Sequence, residues 1–144
     1  MLNIDYYSDY LTKLASTRLG RTLYSIGVGA VGAVILVVFL AKLLTVATLG
    51  NLMPFIFGFN AALTGYMVIE KTGDALAYKR TVAMISGVAL VIVATLILNV
   101  LYFQGTGIYL IFMEDLLLLL PVSIIASVLG AMLAIKYFQI RKNI

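Results

Sequence analysis

Apolar residues fill four long stretches of this chain, at about 23–44, 52–69, 82–103 and 116–136, with the polar residues gathered between them. Each stretch is close to the ~20 residues a helix needs to cross a hydrocarbon layer of ~30 Å. The pattern predicts an all-α integral membrane protein with four transmembrane helices paired as two hairpins. Residues 3–19 read differently. Tyr7, Tyr10, Leu11 and Leu14 recur at helical spacing, while Asp5, Asp9, Thr12, Lys13, Ser16 and Thr17 fall mostly elsewhere on the wheel. This segment is expected to be an amphipathic helix lying in the membrane interface. The alternative is a helix packed on a partner subunit. Two regions follow: a cytoplasmic amphipathic helix within 1–21 and a four-helix transmembrane domain over 22–144. The first apolar stretch is too long for a signal-peptide core and three more follow it, so it is expected to be a retained span.

Charge gives the spans a direction. Lys13, Arg18 and Arg21 precede the first stretch, Lys71, Lys79 and Arg80 separate the second from the third, and Lys136, Arg141 and Lys142 close the fourth. The other two connections hold no Lys or Arg, and one carries Glu114 and Asp115. Basic residues concentrate on the cytoplasmic side of membrane proteins. Both termini are therefore expected in the cytoplasm, with the protein in a cell (inner) membrane. Only 11% of residues are charged, against about 25% in a soluble domain. The net charge of +4 is spread over three segments where lipid headgroups are the natural counter-ions, so no nucleic-acid partner is expected.

The chain has no cysteine and no histidine. Disulfides, thiolate or imidazole metal sites and a histidine base are thereby excluded, and no cofactor or metal is expected. GVGAVG at Gly27–Gly32 matches a dinucleotide fingerprint in letters only, because that motif needs a strand before it. Inside an apolar span, small residues instead let helix backbones approach closely. Packing seams are expected at Gly29 and Ala33, at Gly58 and Ala62 with Ala61 and Gly65 beside them, at Ala83 and Gly87, and at Ala126, Gly130 and Ala134. Ser123, Ser127 and Ala131 line a face next to the last of these.

Polar residues inside or beside membrane spans are the candidates for function. Asn60 and Asn99 lie within spans, Lys42 near the outer end of the first, and Glu114 and Asp115 at the start of the fourth. Together they could form an ion or substrate site at the outer end of helices three and four. The competing reading is structural: an asparagine joining helices by hydrogen bonds, a snorkelling lysine, and two carboxylates at the positive end of a helix dipole. Pro54 is expected in the first turn of the second span, where a missing N–H costs little. The apolar GIYLIFM (107–113) is too short to span and is expected to dip into the interface or cover the bundle.

Two internal matches raise a tandem repeat of the hairpin. Arg21-Thr22 followed by Ile26 resembles Arg80-Thr81 followed by Ile85, and Gly65, Met67 and Lys71 recur at the same spacing as Gly130, Met132 and Lys136. Such a repeat would have parallel topology about an axis along the membrane normal. The competing explanation is chance, since apolar spans draw on few residue types. The resulting functional expectation is a non-catalytic structural or accessory subunit of a larger membrane complex, with membrane lipids and either other membrane subunits or further copies as partners. The alternative is a small oligomeric transporter, channel or flippase.

Overall fold

The computed structural model describes residues 4–72 and 78–142. Among these, the regular structure is entirely helical: α1 (Ile4–Ser16), α2 (Arg18–Ala41), α3 (Val46–Thr72), α4 (Lys79–Thr106) and α5 (Met113–Lys142). The last four are each long and apolar enough to cross a membrane. Residues 73–77, between α3 and α4, lie outside the described residues.

Local chemistry sets the helix ends. Thr17 has extended backbone (φ −78°, ψ 156°), and its hydroxyl accepts the Gly20 N–H at 3.1 Å. This N-cap separates α1 from α2, so the break falls at Thr17 and not after Arg21. A second threonine cap starts α3 earlier than the apolar pattern implies. The Thr48 N–H donates to the Thr45 hydroxyl at 3.4 Å and the Leu49 N–H to the Thr45 carbonyl at 2.9 Å. Residues 48–51, which fall between the first two apolar stretches, thus belong to α3. Pro54 accordingly sits at the ninth residue of α3 and not in its first turn. Pro121 is likewise the ninth residue of α5. At the end of α4, Gly107 adopts φ +75°, and its N–H donates to the Phe103 carbonyl at 2.9 Å. Glycine enters this left-handed region without a Cβ penalty, which is why it stops the helix.

α2 and α3 pack antiparallel, as do α4 and α5, and α3 and α5 run in the same direction. The last two form the most extensive contact in the bundle. α2 packs on α3 and α4, and α4 also packs on α3 and α5; among the described residues α2 and α5 do not meet. The starts of α2 and α4 and the ends of α3 and α5 lie at one end, the terminal end. The connections 42–45 and 107–112 lie at the opposite end.

The α3–α5 crossing explains where the glycines fall. A Cβ on Gly65 would lie 2.7 Å from the Ser127 carbonyl carbon, and one on Gly130 would lie 2.7 Å from the Ala62 carbonyl carbon. The two contacts are reciprocal: each glycine meets the residue three before the other. An apolar cluster towards the opposite end includes Val37, Phe57, Leu90, Leu98 and Leu119. A smaller one near the terminal end holds Ile69, Ala83, Ala131 and Ala134. Between them lies a layer of buried small and hydroxyl residues, including Ser25, Gly29, Thr64, Ser86 and Ser127.

Candidate functional site

Two groups of polar side chains are built into the bundle. The first is the hydroxyl and amide layer. Asn60 is buried on α3; its amide donates to the Ile56 carbonyl at 2.8 Å, one turn back. Its Oδ1 occupies the space left by Gly32 on α2, where a Cβ would approach it to 2.5 Å. Thr64, one turn further along α3, seats its hydroxyl against Gly29 of α2. That hydroxyl donates to its own helix at the Asn60 carbonyl (2.9 Å) and reaches the Ser25 carbonyl of α2 at 3.5 Å. In lipid, where neighbouring chains are as apolar as leucine, close backbone approach and such hydrogen bonds hold helices together. Ser127 does the same across the other hairpin, donating to the Ala83 carbonyl of α4 at 2.7 Å. Ser25 and Ser86 each donate to the carbonyl one turn back. Thr95 Oγ1 and Ser123 Oγ are buried without a hydrogen-bond partner among the described residues.

The second group sits at the opposite end. Asn99 makes three hydrogen bonds to the segment after α4. Its amide donates to the Ile111 carbonyl at 2.9 Å, and its carbonyl accepts the N–H groups of Leu110 (3.1 Å) and Ile111 (2.9 Å). The side chain thereby pairs with backbone as a neighbouring strand would, and it drives Ile111 into the core, where it is buried. Phe103 and Tyr109 stack outside this clamp, with ring centroids 5.1 Å apart. The apolar segment expected here to dip or to cover the bundle thus folds back over the end of α4. Asp115 Oδ2 accepts the Phe112 N–H at 2.8 Å. Phe112 precedes the first residue of α5, so Asp115 supplies the returning half of a capping box. Glu114 is exposed beside it, and Lys42 is exposed at the end of α2.

The five candidate residues therefore do not converge. Asn60 is fourteen residues into α3, some ~20 Å along its axis, and belongs to the glycine–hydroxyl layer. Asn99 serves the 107–112 segment, Asp115 caps α5, and Glu114 and Lys42 face outward. An open hollow of about 370 Å³ lies along Phe112, Met113, Glu114 and Asp115, and a crevice of about 30 Å³ lies between α3 and α5, lined by Gly50, Met53, Pro54, Asp115, Leu118 and Leu119. The crevice has room for about one water. Among the described residues, no three side chains of the kinds that ligate metals are grouped.

The packing residues lie mostly inside. Gly29, Ala33, Gly58, Gly65, Gly87, Gly130 and Ala134 are buried, while Ala62 and Ala126 are half-buried. Thr64 and Ser25 carry contacts that the apolar pattern leaves unmarked, although Thr64 follows Asn60 by one helical turn and so shares its face. Comparison with known proteins adds no assignment: no family model, no curated protein and no solved structure gives a significant match to the chain.

Proposed function

We propose that this protein is a non-catalytic, multi-pass membrane subunit with a structural or accessory role in a larger membrane complex. The observation that carries this reading is how the polar side chains are used. Asn60, Thr64, Asn99, Asp115 and Ser127 each spend their hydrogen bonds on backbone groups of the chain itself. Groups committed in this way hold helices and a connection in place. The small-residue seams are filled inside the chain, so a partner would meet the larger apolar faces that α2 and α5 turn outward. Both termini belong in the cytoplasm by the charge distribution. There α1, with Tyr10 and Leu11 exposed, would lie along the inner surface of the cell membrane. The reciprocal Gly65 and Gly130 contacts, and a proline at the ninth residue of both α3 and α5, support a tandem hairpin duplication.

The test is purification of the native chain in mild detergent. Unlike subunits in fixed stoichiometry are expected. A homogeneous homo-oligomer without them would overturn the accessory role and favour transport. One observation favours that second reading: Thr95 and Ser123 hold buried hydroxyls with no partner among the described residues, as groups along a transport path would. In that case Thr95→Val with Ser123→Ala should abolish flux in proteoliposomes while the protein still folds.

A further inference from the structure

At the terminal end, α2 and α3 hold two cations side by side. Arg21 lies in the first turn of α2 and Lys71 in the last turn of α3. Arg21 Nη1 donates to the Lys71 carbonyl at 3.0 Å, which spends one of the guanidinium's five N–H donors. The Lys71 ammonium sits 4.7 Å from the centroid of the Tyr24 ring. Like charges gain nothing from proximity to each other; here backbone and an aromatic face hold them together. The notch between them has a volume of about 370 Å³ and is lined by Gly20, Arg21, Tyr24 and Lys71, with no carboxylate among these.

Tyr24 also begins a second hollow. An apolar groove of about 480 Å³ runs along α2 past Tyr24, Gly27, Val28, Val31, Gly32 and Ile35. It exists because Gly27 has no side chain, and a Cβ there would meet nothing within 4 Å. From Tyr24 to Ile35 the helix rises ~16 Å, about half the ~30 Å hydrocarbon layer. A cationic notch and an apolar groove about one leaflet long, which share Tyr24, together match the chemistry of a charged phosphate joined to an acyl chain.

We propose that this side of α2 binds one anionic phospholipid, with its phosphate held by Arg21 and Lys71 and one acyl chain laid along the Tyr24–Ile35 groove. Arginine's planar fork and lysine's compact charge are both suited to phosphate oxygens. The site rests on the membrane-spanning reading of α2 and α3 and is independent of the accessory role.

The chain has no tryptophan, so Ile35→Trp provides a lone fluorescent reporter in the groove. The full chain is reconstituted in phosphatidylcholine vesicles containing a minor fraction of phosphatidylglycerol. Bromine quenchers are placed on the acyl chains of one lipid or the other. Per molecule, brominated phosphatidylglycerol should quench more strongly, by about fivefold for each cation engaged. Arg21→Gln with Lys71→Gln should remove the preference. Because that pair could also loosen the end of α3, Gly27→Leu is a second probe: it fills the groove from a position with free space and should weaken the preference at unchanged melting temperature. Equal quenching by the two lipids overturns the proposal. A preference that survives the double charge variant also overturns it, by assigning the effect to the other basic residues. A preference that survives Gly27→Leu and is erased by inorganic phosphate would replace the lipid with a free-phosphate site.

Discussion

One added methyl group at Gly130 should loosen the α3–α5 crossing. An ideal Cβ there would lie 2.7 Å from the Ala62 carbonyl carbon and 3.0 Å from its Cα, and nearer still to its oxygen. Ordinary contact begins near 3.4 Å, so the carbonyl carbon alone demands a separation of about 0.7 Å, enough to forfeit a quarter to a half of each contact's attraction along the seam. These obstacles are backbone atoms, and no change of rotamer relieves them. Overpacking of this kind costs about 1–3 kcal/mol. Alanine also gains about 1 kcal/mol over glycine within a helix, which complicates the single comparison. Gly27→Ala removes that complication, since it takes the same gain in open space. The difference between the two variants therefore isolates the crossing at about 1–3 kcal/mol, and each kcal/mol moves the midpoint by about 2–4 °C in a chain of this size. The assay is thermal unfolding in one detergent, followed by circular dichroism. Gly65→Ala should behave like Gly130→Ala, because its Cβ would meet the Ser127 carbonyl from the other side. One separation of the helices relieves both clashes, so the double variant should cost clearly less than the sum of the two. Equal melting of Gly130→Ala and Gly27→Ala, or full additivity in the double variant, would refute the reasoning.

Asn99→Leu keeps the side chain's size but removes three hydrogen bonds, leaving backbone groups of Leu110 and Ile111 unpaired; a loss of about 1–3 kcal/mol and faster amide exchange at these two residues are expected, and unchanged exchange would contradict the clamp. Glu114→Gln with Asp115→Asn should retain fold and partner binding at a cost of roughly 0.3–1 kcal/mol, because asparagine can still accept the Phe112 N–H; a well-folded double variant that has lost function would count instead for an ion site. Reporter fusions after Asn143 and at Gly105 should place the first inside and the second outside, and an external signal from the terminal fusion would reverse the proposed orientation.

The apolar pattern identifies the four long helices because burial in lipid demands length and hydrophobicity, and both are written in composition. The helix ends are less visible. Thr45 and Thr48 look like an ordinary polar connection, and Pro54 is the conspicuous residue nearby, so the apolar pattern starts α3 six residues late. The cap that starts α3 is a local hydrogen bond with no hydrophobic signature. Asn60 and Asn99 are alike as single letters. What separates their roles is what faces them: Gly32 on another helix in one case, a folded-back backbone segment in the other. The pairing of Arg21 with Lys71 follows from hairpin geometry, which places the start of α2 beside the end of α3. The groove beside them depends on Gly27 facing away from the bundle, and the spacing of glycines within one helix does not say which face lacks a neighbour.

The reciprocal contacts of Gly65 with Ser127 and Gly130 with Ala62 are what a twofold axis between α3 and α5 would generate from a single contact. The rest of the bundle departs from that axis, since α3 meets α4 while its counterpart pair, α2 and α5, stays apart. In water such a gap would be costly, at about 25 cal/mol for each Å² of apolar surface left exposed. In lipid it costs little, because an acyl chain covers a leucine or valine face about as well as another helix does. The central crossing has no such freedom, since no lipid chain can occupy the space between two backbones in contact. Strict geometry is therefore required where Gly65 and Gly130 meet carbonyls, and it relaxes towards α2 and α5, whose spans are the least buried of the four. That relaxation leaves the Gly27 side of α2 uncovered by protein, so the surface proposed to hold a lipid lies where the packing forces of a membrane bundle constrain the chain least.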